Sequence, residues 1–196
     1  ESAVIQLALL ALRGTDFAEL MKAASTYVVQ TMDLELCGIF ELLSVGNAFL
    51  LREGEGWDEG VVGHRLIDRN PSIAGLALNS SEPIGIDSYL KQDTFKDVTL
   101  LQEHGVASGL IVPISLSEQT FGVLGAYATK EKLFSPEEIQ FLHITANILS
   151  SALEQQRVKA SLEQIQTNLE LQVAERTAEL VAVNQRSLAP HQLAPH

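Results

Sequence analysis

From Glu137 to Ala189 the chain contains neither glycine nor proline. The stretch opens on Phe134-Ser135-Pro136-Glu137-Glu138, a strong helix start. Ser135 can cap the first free N–H groups, Pro136 suits the first helical position, and Glu138 completes a capping box. A single helix running to about Arg186 would be roughly 75 Å long at about 1.5 Å per residue. That is more than a small domain can cover, so the chain must pair a globular part with a helix that serves a partner subunit or a signal.

The rest of the sequence supports one domain plus such an extension. The chain has 196 residues, 46% of them hydrophobic, enough to bury a core. A net charge of −12 argues against nucleic acid and against an anionic membrane surface. The one cysteine excludes a disulfide framework and any cysteine-based zinc site, which suits a reducing, cytoplasmic setting. The longest apolar run, Ala8 to Leu12, is too short to span a bilayer, so no membrane contact by this chain is expected. Because it begins inside a helical pattern, the chain reads as a piece of something longer.

Along the chain, Ser2 to Leu12 has helical spacing and ends at Arg13-Gly14. Thr15 or Asp16 starts a second helix, with Phe17, Leu20, Met21, Ala24, Tyr27 and Val28 on one stripe. Cys37 to Leu43 and Ala48 to Arg52 read as paired strands, followed by a glycine-rich loop from Gly54 to Gly63. Asn70-Pro71-Ser72 starts a short helix, Ile73 to Leu78, and Ile84 to Ile86 is a short strand. Phe95 to Glu103 reads as a helix closed by His104-Gly105. Gly109 to Leu116 and Phe121 to Thr129 form a hairpin. The repeated Leu-Ala-Pro-His at 188–191 and 193–196 reads as a flexible tail. The pattern predicts an α+β fold, an antiparallel sheet flanked by helices.

Several segments together resemble the GAF domain family. They are Leu100 to Ile114, Phe121-Gly122-Val123-Leu124-Gly125-Ala126, Phe134 to Glu138, Cys37 to Leu43, and Leu50 to Trp57. Leu171 to Leu180 is similar to the helical linkers of bacterial signalling proteins. The resemblance implies a six-stranded antiparallel sheet with a small-molecule pocket on one face, in a bacterial sensor, most plausibly a histidine kinase of a two-component system. The expected organisation is an N-terminal helix at 1–14, a GAF-like sensory domain at 15–156, a coiled-coil linker at 157–186 and a tail at 187–196.

The family's chemistries can be tried on these residues. Bilin-binding members use a cysteine in the region before the last hairpin. Phe95 to Gly105 has none, so covalent bilin is not expected. Lys130, Phe134 and Glu138 echo the cyclic-nucleotide pattern, but Thr129 and Ile139 depart from it. One cysteine cannot form the disulfide that methionine sulfoxide reduction passes through. The cofactor therefore stays unknown, with haem or another chromophore an alternative.

Trp57, His64, Tyr89, His104, Ser108 and Tyr127 are the candidate ligand-binding set. His104 at a helix end can instead cap carbonyls, and the tyrosines can be core residues with a wet end. Cys37 reads as a small buried hydrophobe, and Asp93 with Asp97 as a solvated helix face. No nucleophile–base constellation or phosphate loop is visible, so no catalysis is expected of this chain. In the long helix Leu162, Ile165, Leu169, Val173, Arg176, Leu180 and Val183 recur at spacings 3-4-4-3-4-3. That is a parallel homodimer seam with one stutter. Val4, Leu7 or Ala8, and Ala11 or Leu12 would pack beside the start of the long helix, giving a four-helix bundle in the dimer. The alternative is an unliganded dimerisation or spacer module whose pocket is filled by its own side chains.

Overall fold

A computed structural model describes residues 2–45 and 47–189. It divides into two units, residues 1–154 and 155–196. The element order of the first unit begins α1 (Ser2–Leu12), α2 (Phe17–Met32), β1 (Leu36–Leu43), β2 (Ala48–Glu55) and β3 (Leu66–Asp68). It continues with α3 (Ile73–Leu78), β4 (Ile84–Gly85), α4 (Val98–Glu103), β5 (Ser108–Ser115) and β6 (Thr120–Ala128). α5 is helical over Pro136–Ser187 and carries a capping box at its start. The Ser135 N–H donates to Glu138 Oε2 at 2.9 Å, and the Glu138 N–H donates to Ser135 Oγ at 3.2 Å.

The six strands form one sheet in the order β3-β2-β1-β6-β5-β4, with every neighbouring pair antiparallel. The α+β expectation and its six strands therefore hold. Side chains alternate across a strand, and here both faces are covered. Cys37, Ile39, Leu110, Val112, Leu124 and Ala126 face a core shared with Leu20, Met21, Val28, Leu142 and Leu149 of the helices. Leu36, Phe40, Ile111, Val123 and Tyr127 face a second core with Ile73, Ala77, Leu100 and Leu101. Two apolar faces explain why the central strands read as continuous hydrophobic runs.

Two element boundaries differ by more than one residue from the sequence expectation, and one strand was not anticipated. β2 runs past Arg52 to Glu55, so Gly54 belongs to a strand and not to the loop. β3 was not anticipated, because three residues pairing only with β2 carry too little periodicity to detect. The predicted helix at Phe95 begins at Val98. Asp97 also overturns the solvated-face reading. It is buried, and its carboxylate accepts the Ile73 and Ala74 N–H groups at 2.9 Å each. Ser72 Oγ accepts from Gly75 at 2.9 Å, so three first-turn donors of α3 are satisfied from two sides. Residues 190–196 of the expected tail lie outside the described residues.

Candidate functional site

The second core contains a feature that begins with three glycines. Gly38 pairs with Gly54 on one side and with Gly125 on the other, so a row of glycines crosses β2, β1 and β6. A methyl group at Gly38 would lie 2.8 Å from the Phe40 ring, and one at Gly54 2.5 Å from the Trp57 indole nitrogen. One at Gly125 would collide with the Tyr127 hydroxyl. Each glycine is therefore the floor beneath an aromatic ring.

Those rings converge on Trp57. Its indole meets Phe40 at 6.2 Å, Tyr127 at 5.8 Å and His104 at 5.0 Å between centroids, all edge to face. This is the geometry that aromatic quadrupoles favour. The indole N–H donates to the Cys37 backbone carbonyl at 2.8 Å. Tyr127 is fully buried, and burial followed by the nearby Asp97 carboxylate pushes its phenol well above the ordinary range. It stays neutral.

His104 closes the group. Its side chain is only 5% exposed, and both ring nitrogens are engaged. Nδ1 lies 2.9 Å from the Leu100 carbonyl, which can only accept, so Nδ1 carries the proton. Nε2 then accepts the Asp58 N–H at 3.2 Å. The histidine thus caps a carbonyl of α4 on one side and latches the loop after Trp57 on the other.

The structure brings Trp57, His104 and Tyr127 together. Tyr89 belongs to the same apolar layer but meets Phe95 edge to face at 5.2 Å. His64 is exposed in the loop, with Nδ1 near the Val62 carbonyl. Ser108 shares the strand parity of Leu110, the helix-side face, and donates to the Lys130 carbonyl at 2.6 Å. Cys37 also faces that side, where burial pushes its thiol up to about 12. Phe40, Asp58 and the glycine row escaped the sequence reading. The signal was there in Gly38-Ile39-Phe40 and Gly125-Ala126-Tyr127, a glycine and an aromatic two residues apart on one strand face.

Comparison with known proteins gives the family. The family profile described as GAF domain matches residues 14–154. The chain belongs to the GAF domain family. A curated relative, the circadian input-output histidine kinase CikA of Thermosynechococcus vestitus, is 33% identical over 115 residues. That match covers 56% of this chain and 16% of the relative, so the chain spans a small part of that protein's length. Among solved structures, the GAF domain of a phosphoenolpyruvate-protein phosphotransferase from Coxiella burnetii aligns with a TM-score of 0.72 at 19% identity. The alignment covers 82% of this chain and 95% of that one. A phycoerythrobilin-bound GAF domain from a cyanobacterial phytochrome aligns with a TM-score of 0.67 at 13% identity, covering 81% and 96%. At these identities the structures share the fold with this chain. The GAF domain found here is related to part of a histidine kinase.

Among the described residues, no group of three or more His, Cys, Asp or Glu is placed to hold a metal ion. No helix among them is long and apolar enough to cross a membrane.

Proposed function

We propose that this chain is the sensory part of a cytoplasmic signalling protein, a histidine kinase, and that it performs no catalysis itself. It works as a parallel homodimer. A small ligand, or a change at the dimer interface, biases the packing of paired helices and so the state of an output module outside this chain. A ligand can do this only by binding the two arrangements with different affinity.

One observation carries the reading. In α5 the side chains of Leu162, Ile165, Leu169, Val173, Leu180 and Val183 are 55–65% exposed in the single chain, at three- and four-residue spacing. Three- and four-residue spacing of exposed apolar side chains is the pattern that a second copy covers in a coiled coil. α1 also leaves Ile5, Leu9 and Leu12 exposed at intervals of four and three. Arg176 in the seam and the stutter near Val173 keep the pairing marginal, and marginal packings interconvert at little cost.

A cysteine introduced by Leu169→Cys tests the arrangement. A parallel seam brings the two copies of residue 169 together, so mild oxidation should give a disulfide dimer in high yield. The native Cys37 is buried and does not compete. Failure of Leu169→Cys to cross-link, with a cysteine near one end of the helix cross-linking to one near the other, would show antiparallel pairing and sink the proposal.

The alternative, a spacer without a ligand, draws on Trp57, whose indole occupies the aromatic layer of the sheet.

A further inference from the structure

Trp57 sits on the aromatic layer in a way that differs from an ordinary core residue. It is only partly buried, and it is carried by a loop instead of a strand. Two hydrogen bonds join residues 57–58 to the layer: the indole N–H to the Cys37 carbonyl and the Asp58 N–H to His104 Nε2. Gly56 and Gly60 flank the segment, with φ of +85° and +82°. The far side of the loop is pinned separately, by the Gly63 N–H to the Leu51 carbonyl at 2.7 Å and by Leu51 N–H to the Arg65 carbonyl. The Asp58 carbonyl also accepts the Val61 N–H at 3.2 Å within the loop, so lifting the segment 57–59 requires breaking its two bonds to the layer and either carrying this turn along or opening it.

What it would leave behind has a definite shape and chemistry. The floor is Gly54, and the walls are Phe40, Tyr127 and His104. Two acceptors would face the slot, the Cys37 carbonyl and, once Asp58 leaves, Nε2 of His104. Glu53, Glu55, Asp58 and Glu59 surround the loop in sequence, in a chain of net charge −12, which disfavours anions.

We propose that Trp57 is an internal stand-in for the ligand, and that a neutral or cationic planar nitrogen heteroaromatic binds by displacing its indole from the glycine floor. The proposal rests on the sensory reading above and names the ligand class of that site. The incoming ring donates an N–H to the Cys37 carbonyl as the indole does, and where it carries a second donor that group meets His104. Displacement breaks the Asp58–His104 latch, so occupancy is converted into a free loop. Because the native indole competes, apparent affinity falls by the fraction of molecules with the slot open.

Trp57 is the one tryptophan of the chain, so its emission reports its own displacement. The test uses benzimidazole as the probe on the whole 196-residue chain, with tryptophan excited at wavelengths the probe does not absorb. The expected result is a saturable shift of emission to longer wavelength as the indole enters water. Benzoate, planar but anionic, should leave it unchanged. In Trp57→Gly the slot is permanently open. Benzimidazole should then raise the melting temperature with concentration and bind at least about tenfold more tightly than to the unaltered chain.

If emission of the unaltered chain stays constant up to the solubility limit of benzimidazole, Trp57 is a fixed core residue and the proposal is overturned, however Trp57→Gly behaves. An equal response to benzoate overturns the ligand class. Should Trp57→Gly fail to fold, the emission of the unaltered chain decides alone. None of these failures touches the parallel dimer, which cross-linking at residue 169 reads independently.

Discussion

At Gly125 the native residue leaves room that a single methyl group would take from the Tyr127 hydroxyl. Gly125→Ala should therefore destabilise the domain by about 1–3 kcal/mol, read from urea unfolding. Adding Tyr127→Phe should restore little of that stability, because the ring carbon Cζ would still collide with the new methyl and Cε2 would lie 2.8 Å from it. Cys37 gives a prediction in pH. Burial raises its thiol from 9.0 to about 12, although Ser25 hydrogen-bonds to it. The folded state thus holds a proton that the unfolded chain releases. The stability this residue contributes is complete below about pH 9 and is lost progressively as pH rises towards 12. Unfolding midpoints measured at pH 8 and pH 10 should fall more for the native chain than for Cys37→Ala.

The short helices show how elements are fixed by residues distant in sequence. Asp97 holds the first turn of α3 from the start of α4, 23 and 24 residues away. Asp97→Ala strands two buried N–H groups and should cost about 2 kcal/mol or more, whereas Asp97→Asn keeps one acceptor and should cost less. Chemical denaturation of the two variants side by side checks the order. Bonds of this kind also mark the limit of what the sequence discloses. α3 was legible because Ser72 caps it locally. Asp97 was misread because four-residue spacing from Asp93 suggested a helix face, and nothing local reveals a partner so far upstream. Likewise β2 was cut short at Gly54, since a glycine in a strand resembles a loop until the ring above it is known. Trp57, His104 and Tyr127 could be nominated by residue type, but their convergence depends on strand register. Register is a property of pairing, which one strand alone does not encode.

For the whole molecule, the proposed pairing along the α5 stripe is tested by the association state. Leu169→Glu places a charge in each copy at the centre of the pairing stripe, where like charges oppose. Sedimentation should show the unaltered chain at twice its 21.3 kDa mass and the variant at the monomer mass. Melting of the β-sheet domain should change little, because the first unit contains the sheet and both of its cores.

The glycine row has one more consequence, for exchange kinetics. Edge strands usually lose their amide protons first, and the middle of a sheet last. Here the three residues that meet across β2, β1 and β6 have no side chains of their own to keep water away. On this face of the sheet their backbone is shielded by the rings lying over it and, at Gly38, by Leu51 as well. The centre of this sheet therefore holds its deuterium clock in Phe40, Trp57 and Tyr127, and any event that lifts one of those rings should be recorded there before the strand edges respond.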